Sequence, residues 1–215
     1  MSIITLNNRA INRSDTASAG QVFTATSATA SDFQDAASGS RVLLNTTTIT
    51  SDTTNIDFNS TLVTATYGVY EIVIEYLSSA NGSHIDVDLQ LSADNGSSFS
   101  SSIDQMSHRD RQDDTGTTTF KVITKDQSDC QIFSGMANDR PDVGAGMIRI
   151  FSPMDANVYT IITHITANKV ENQADNIRNH FGCAIEDNAQ AINFFRIKCS
   201  SGDIEKAKVK LFGVA

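Results

Sequence analysis

The chain has 215 residues, of which 40% are hydrophobic and 7% aromatic, and it carries 25 acidic against 16 basic residues. Its formal net charge of -9 argues against a nucleic-acid partner, which would need a basic surface to displace counterions from phosphates. No run approaches the roughly 20 apolar residues that span a bilayer, so we expect no membrane-spanning helix.

Residues 1–40 differ from the rest, because they are rich in Ser, Thr, Ala and Asn and hold few large apolar side chains. Such a segment does not bury enough surface to offset its own ordering entropy. The composition predicts an anchoring arm that a partner protein orders. The residues expected to contact that partner are Ile3, Ile4, Leu6, Asn8, Arg9, Ile11 and Arg13.

Two further expectations concern the same segment. Ser31 and Gln34 form a capping-box pair, which predicts a short helix over residues 32–38 after an extended stretch over residues 1–30. The first residues lack the basic and then apolar pattern of a secretory signal peptide, so we expect the protein to fold in a cytoplasm.

From residue 41 onward, apolar and polar residues alternate with a period of two, in short segments separated by Asn, Asp, Gly and Ser. In the segment 84–91, Ile85, Val87, Leu89 and Leu91 are expected to face the core. In the segment 67–77, the expected inward residues are Tyr70, Ile72, Ile74 and Tyr76. The predicted strands cover residues 42–48, 55–59, 67–77, 84–91, 118–125, 130–134, 146–151, 157–167, 180–186, 191–199 and 206–212.

About eleven strands without a helical pattern between them predict an all-β fold, namely two antiparallel sheets packed as a sandwich over residues 41–215, with jelly-roll connections. The polar segment 100–116 is predicted to be a long surface loop. Within it, His108, Arg109, Asp110 and Arg111 concentrate charges of both signs, which makes this loop a candidate ligand or subunit contact.

Residues 92–99 read Ser-Ala-Asp-Asn-Gly-Ser-Ser-Phe, which matches the Asp-box pattern of a β-hairpin. In this interpretation Asp94 bonds to backbone amides of the turn, Gly96 takes a positive φ, and Phe99 anchors the hairpin in the core. The motif indicates structure rather than catalysis.

Asp86 and Asp88 share one strand face about 7 Å apart, a separation that suits a glycosidase pair or part of a Ca²⁺ site, but a solvated strand face is the simpler interpretation. His84, His164 and His180 have no metal-ligand spacing, and His164 is expected to pack with a hydrogen bond among isoleucines. The three cysteines, Cys130, Cys183 and Cys199, are expected to be free and buried. No cofactor motif is present.

Several segments together resemble virion proteins of marine tailed phages that have a jelly-roll body. They are Ser-Ile-Ile-Thr-Leu-Asn-Asn-Arg at 2–9, Thr-Ala-Thr-Ser-Ala-Thr-Ala-Ser-Asp-Phe at 24–33, Tyr-Gly-Val-Tyr-Glu-Ile at 67–72, the Asp-box segment and Lys-Val-Lys-Leu-Phe-Gly-Val at 208–214. Phe212 stands where Tyr is common in that group, and the chain has no Trp.

The resemblance implies a non-enzymatic virion protein that decorates and stabilises the head, is often trimeric, and binds the major capsid protein or another virion protein. Its location would be the virion, assembled in the host cytoplasm. The alternative is a tail appendage that binds a receptor or glycan through residues 100–116. A third hypothesis is a glycoside hydrolase that uses Asp86 and Asp88.

Overall fold

The computed structural model describes residues 21–27, 30–35, 41–80, 84–113, 116–136, 143–169 and 177–215. The chain divides into two units, Met1–Ser40 and Arg41–Ala215. In the first unit, β1 (Gln21–Ser27) pairs antiparallel with β2 (Ala30–Asp35). The predicted helix is therefore wrong for residues 32–35, and residues 36–38 lie outside the described part. A two-turn helix leaves most of its backbone groups unpaired, whereas the ladder pairs them and sets Phe33 opposite Phe23.

The second unit is all-β, and its described residues contain twelve strands in two antiparallel sheets. The strands are β3 (Arg41–Ile49), β4 (Asn55–Phe58), β5 (Val69–Ser79), β6 (Ile85–Ser92), β7 (Ile103–Asp113), β8 (Gly116–Gln127), β9 (Cys130–Met136), β10 (Gly144–Phe151), β11 (Thr160–Lys169), β12 (Ile177–Glu186), β13 (Phe194–Cys199) and β14 (Ile204–Val214). The predicted sandwich is confirmed. No helix long and apolar enough to span a bilayer occurs among the described residues.

The strand order is that of a jelly roll with two inserted hairpins. The small sheet has the order β4-β13-β6-β9, and the large sheet has the order β3-β14-β5-β10-β11-β12-β7-β8. The chain passes back and forth between the sheets from β3 to β6 and again from β13 to β14, as jelly-roll connections require. The hairpins β7–β8 and β11–β12 lengthen the large sheet beyond β10, so it has twice as many strands as the small sheet.

The core lies between the small sheet and the large sheet, and it extends onto the added hairpins through Ile162, Ala184 and Ile103. The alternation predicted for β6 is confirmed, because Ile85, Val87, Leu89 and Leu91 are all buried. In β5 the prediction holds up to Ile74 and is wrong for Tyr76. A bulge shifts the register there, since Lys208 of β14 pairs with Tyr76 while the next residue, Val209, pairs with Ile74. The extra residue turns Leu77 to the core and leaves Tyr76 half-buried.

The predicted loop over residues 100–116 is wrong, because residues 103–113 form β7, and residues 103–112 pair with β12. Its inward residues, Gln105 and Ser107, are polar and yet buried. A strand whose inward face is polar does not show the apolar alternation that sequence analysis seeks.

These polar residues complete the hydrogen bonds of β9, the edge strand of the small sheet. The Gln105 amide donates to the carbonyl of Gln131 at 2.7 Å and accepts from its N–H at 3.0 Å. Thr166 of β11 donates to the carbonyl of Ile132, and Asn168 donates to that of Ser134. Side chains of the extended large sheet thus take the place of a further strand beside β9.

Replacement of Tyr70 by Phe should destabilise the jelly roll. Tyr70 is fully buried, and its hydroxyl donates to the carbonyl of Thr64 and accepts from the N–H of Thr64, both at 2.6 Å. The variant leaves these backbone groups without that partner, which costs about 1–3 kcal/mol of unfolding free energy in a urea titration. Tyr76→Phe, at a half-buried position, is the matched control and should change it by less than about 0.5 kcal/mol.

Candidate functional site

The outer face of the large sheet is apolar over the strands from β10 to β8. The cross-strand register places Met147, Ile165, Phe181 and His108 in one row across β10, β11, β12 and β7. The neighbouring row holds Arg149, Thr163, Cys183, Met106 and Ile123. Since alternate residues of a strand point to the same side, both rows point away from the core.

Large apolar side chains on this surface are exposed to an unusual degree. Ile165 is 63% exposed, Met106 is 55% exposed and Ile123 is 69% exposed. Phe181, Ile161 and Ile185 are also exposed and stand on the same side of β12 and β11. The two rows border a groove of about 460 Å³. Contiguous apolar surface of this kind marks an interaction site in a folded protein. We call this region, over β10, β11, β12, β7 and β8, the apolar face.

The other half of the same outer surface is charged. On β5, Glu75 forms ion pairs with both Lys208 and Lys210 of β14. Next to the apolar face, Glu71 pairs with Arg149 at 3.0 Å and also with Arg41. The large sheet therefore presents a charged half, whose acidic and basic side chains pair with one another, and an apolar half, and only the second resembles a binding surface.

The structure separates the four residues of the predicted contact loop, because they alternate along β7. His108 stacks on Phe181 at a centroid distance of 5.5 Å and lines the groove. Asp110 accepts a hydrogen bond from Thr119 on β8. Arg109 instead donates to Ser134 of β9 at 2.5 Å, on the opposite side of the sheet. Arg111 stands opposite Arg178 in the ladder. Only His108 of the four belongs to the apolar face.

Arg109 and Arg178 converge on the hydroxyl of Ser134, which accepts a hydrogen bond from each guanidinium. Burial lowers the pKa of Arg178, and the neighbouring charges of Arg109 and Arg111 lower it further. The carboxylate of Asp86 acts in the opposite direction on both Arg109 and Arg178. This basic cluster joins β7 and β12 to the edge strand β9.

The fold brings together two histidines that the sequence does not link. His164 and His180 are both buried, with ring centroids 4.7 Å apart and an edge-to-face arrangement. Their ring nitrogens form no hydrogen bond of good geometry, so the hydrogen bond expected for His164 is wrong, while its packing role is confirmed. Burial lowers the pKa of His164 to about 4 and that of His180 to about 3, the latter with a contribution from His164. Both rings are neutral at pH 7.

A second candidate site is an acidic cleft of about 230 Å³ between β6, β8 and β9. Asp86, Asp88 and Asp129 line it, together with polar residues such as Gln127 and Ser200. The prediction that Asp86 and Asp88 share a face is confirmed, but the solvated strand face is wrong for Asp88, which is only 7% exposed. The hairpin β7–β8 passes alongside β9 and covers Asp88. The sequence pattern of β6 alone does not indicate this cover.

The electrostatics of the cleft are unfavourable to a buried carboxylate. Burial, together with the charges of Asp129 and Asp86, raises the pKa of Asp88 to about 7, and Lys198 acts in the opposite direction. A raised carboxyl pKa is also typical of a glycosidase acid. However, the described lining of the cleft contains no aromatic side chain on which a sugar ring would stack.

The Asp-box turn forms as predicted, although its context differs. Asp94 accepts from the N–H of Ser98 at 2.8 Å, and hydrogen bonds from Ser98 and Ser92 lower the pKa of Asp94 to about 2. Gly96 has a φ of +86°, as predicted. Phe99 is half-buried and packs against Phe194 outside the core cluster, so its predicted role as a core anchor is wrong. The predicted hairpin is wrong, since the turn joins β6 of the small sheet to β7 of the large sheet. The turn thus serves to connect the layers.

The remaining predicted residues are placed as follows. Cys130, Cys183 and Cys199 are free thiols, as predicted, but Cys183 is only half-buried and borders the groove. Burial raises the pKa of Cys199 to about 11. The described part of the chain has no group of three His, Cys, Asp or Glu side chains arranged to hold a metal ion. The arm residues Ile3, Ile4, Leu6, Asn8, Arg9, Ile11 and Arg13 lie outside the described residues.

The fold and the two sites define a jelly-roll sandwich with an enlarged, partly apolar sheet. Comparisons of the chain with protein-family models, with curated proteins and with solved structures give no match. Its function must therefore be inferred from its own geometry.

The replacement of Asp88 by Asn should stabilise the protein increasingly as the pH rises from 5 to 8. The folded-state pKa of about 7 lies above the value of 3.8 for an unperturbed Asp, so the folded protein holds a proton that it must release. The contribution of Asp88 to stability is therefore lost as the pH rises through 7, by about 2–3 kcal/mol between pH 5 and 8. In urea titrations the free energy of unfolding of Asp88→Asn minus that of the wild type should rise by this amount, since the opposite contribution of the histidine pair is common to both proteins. Asp187→Asn, at an exposed site, should behave as the wild type.

The histidine pair should lower the stability of the fold as the pH falls, which is opposite to the effect of Asp88. Both folded-state pKa values lie below the unperturbed 6.5, so the unfolded chain binds more protons, and stability falls as the pH drops below 6.5. In an Asp88→Asn background, the loss at pH 6 should be on the order of 1 kcal/mol per histidine. Substitution of both His164 and His180 by Gln should flatten this slope, whereas His108→Gln should retain it. An unchanged slope in the double variant would refute the assignment.

Proposed function

We propose that this protein is a non-enzymatic structural component of the virion of a tailed bacteriophage, and that it decorates the head. Its partner would be the major capsid protein or another virion protein, and its own assembly would be a homo-oligomer, with a trimer favoured. The observation that carries the proposal is the apolar face, which presents large side chains to solvent. The resemblance of the sequence to phage virion proteins supplies the biological context.

The size of the apolar face supports a role in repeated rather than solitary contacts. Five strands spaced about 4.8 Å apart, with about five residues each at 3.3 Å, cover roughly 20 by 17 Å. This is less than half of the roughly 800 Å² per partner that a stable interface buries. One such contact is weak, but many copies on a regular shell bind together through multivalency. A decoration protein works in this regime.

The arm predicted for residues 1–40 would add a second contact, which is needed because the apolar face alone is too small for a stable interface. Its apolar residues, such as Ile3 and Ile4, are separated by polar residues, as suits a segment that drapes over a partner. Two weak contacts on one chain raise the effective concentration of each at its own site. The proposal therefore assigns binding jointly to the arm and to the apolar face.

One observation favours the alternative function, a tail appendage that binds a receptor or a glycan. His108 and Phe181 form a flat stacked pair beside the groove, and Phe181 is 40% exposed. Aromatic faces of this kind can stack on sugar rings. A glycan array probed with the full chain would show selective binding, lost in Phe181→Ala, if this alternative holds.

The test is binding to purified phage heads that lack the protein. Full-length protein should cosediment with the heads and appear on their surface in electron micrographs. Ile165→Lys should weaken binding at least tenfold, because a charge would be buried at the centre of the apolar face. The control is Thr46→Lys, which introduces the same charge at an exposed position of the edge strand β3. This variant should bind as the wild type does.

A second arm of the same test removes residues 1–30. The truncated protein lacks β1 but should keep the cooperative unfolding of the second unit, Arg41–Ala215, while losing head binding. Decoration by the truncated protein at wild-type affinity would show that the arm is not an anchor. Undiminished binding of Ile165→Lys would exclude the apolar face from the contact.

A further inference from the structure

We propose that the acidic cleft binds an organic cation, namely an ammonium or a guanidinium group. This group belongs to a lysine or arginine side chain of a neighbouring protein or to a free polyamine. The cleft and the apolar face lie on opposite sides of the strands that extend the large sheet. The inference does not depend on the proposed function. It rests on the shape of the cleft, on the isolation of one buried carboxylate, and on the spacing of the three acidic residues.

The central observation is a buried carboxylate without a partner. Asp88 is 7% exposed and borders the cleft, yet none of the hydrogen bonds or ion pairs formed among the described residues involves its side chain. Buried ionisable groups are ordinarily paired, because an uncompensated charge in the interior is costly. Lys198 stands opposite Asp88 on β13. Its attraction is smaller than the repulsion from either Asp129 or Asp86.

The two other carboxylates of the cleft already have partners. Asp86 accepts from the N–H of Gly135 at 2.8 Å and interacts electrostatically with Arg109 and Arg178. Asp129 accepts from the hydroxyl of Ser128 at 3.3 Å. The mouth is formed by exposed polar residues, Gln127 and Ser200. The cleft therefore has three carboxyl groups, with amide and hydroxyl oxygens around them, and it is open to solvent.

The spacing of the acidic groups decides between a metal ion and a larger cation. Within the described residues, no three potential ligands are close enough to share one metal ion. A cavity of about 230 Å³ exceeds the roughly 30 Å³ share of one water molecule by several times. An ammonium on an alkyl stem, or a planar guanidinium, fills such a space, and its N–H groups reach carboxylates on different strands.

Binding should be measured on the full chain by calorimetry and by carboxyl-carbon NMR at pH 7 and constant ionic strength. The probes are N-acetyl-lysine methylamide, N-acetyl-arginine methylamide and spermidine, with N-acetyl-norleucine methylamide as the uncharged analogue and CaCl₂ as the metal. The cationic probes should bind and shift the Asp88 carboxyl resonance, whereas the norleucine probe should not. Because Asp88 is partly protonated near pH 7, binding should release a fraction of a proton, visible as a heat that changes with the buffer.

Matched variants locate the site. Asp88→Asn and Asp129→Asn should each weaken binding of the cationic probes at least tenfold, while Asp187→Asn, which removes the same charge from an exposed position, should not. Tighter binding of spermidine than of either amino-acid probe would identify a free polyamine as the ligand, and the reverse would identify a protein side chain. Saturable Ca²⁺ binding that depends on Asp88, without binding of the organic cations, would overturn the inference, as would the absence of any probe-dependent shift of the Asp88 resonance.

Discussion

The small sheet has four strands and the large sheet has eight, so the small sheet covers only part of its partner. A sheet gains stability by burying one face, and strands that extend past the partner must find other cover or stay exposed. In this protein the strands from β11 to β8 extend beyond the jelly-roll core. Most of what is unusual in the molecule, including its buried polar residues and its apolar outer surface, follows from this mismatch.

On the inner side of the extension, the uncovered strands bend toward the edge of the small sheet and present polar side chains to it. Gln105 and Asn168 satisfy backbone groups of β9, and the neutral pair His164 and His180 fills the space behind them. Gly182 permits this packing, since a Cβ at that position would lie 2.6 Å from Ser107 and 2.8 Å from His164. The extension is thus held by hydrogen bonds and close packing rather than by a second apolar core.

On the outer side, the same strands reverse the usual distribution of apolar and polar side chains. Their isoleucines, methionines and Phe181 face the solvent. A surface of this kind is costly in water and is retained when a partner covers it. The acidic cleft next to β9 contains a buried carboxylate, Asp88, whose charge Lys198 stabilises less than Asp129 and Asp86 destabilise it. An apolar partner surface would complement the first and a cationic group the second, and both features are compatible with the assembly function that we propose.

The sequence by itself determined the all-β class, the inward face of β6 and the geometry of the Asp-box turn, because alternation and turn chemistry are local properties of the chain. It also indicated that Asp86 and Asp88 share a face. Only the tertiary structure decided that residues 103–113 form a strand, that Asp88 is buried, and that His164 meets His180. Each of these depends on which distant strands become neighbours, and burial created by a partner strand leaves no period in the sequence of the residues it covers.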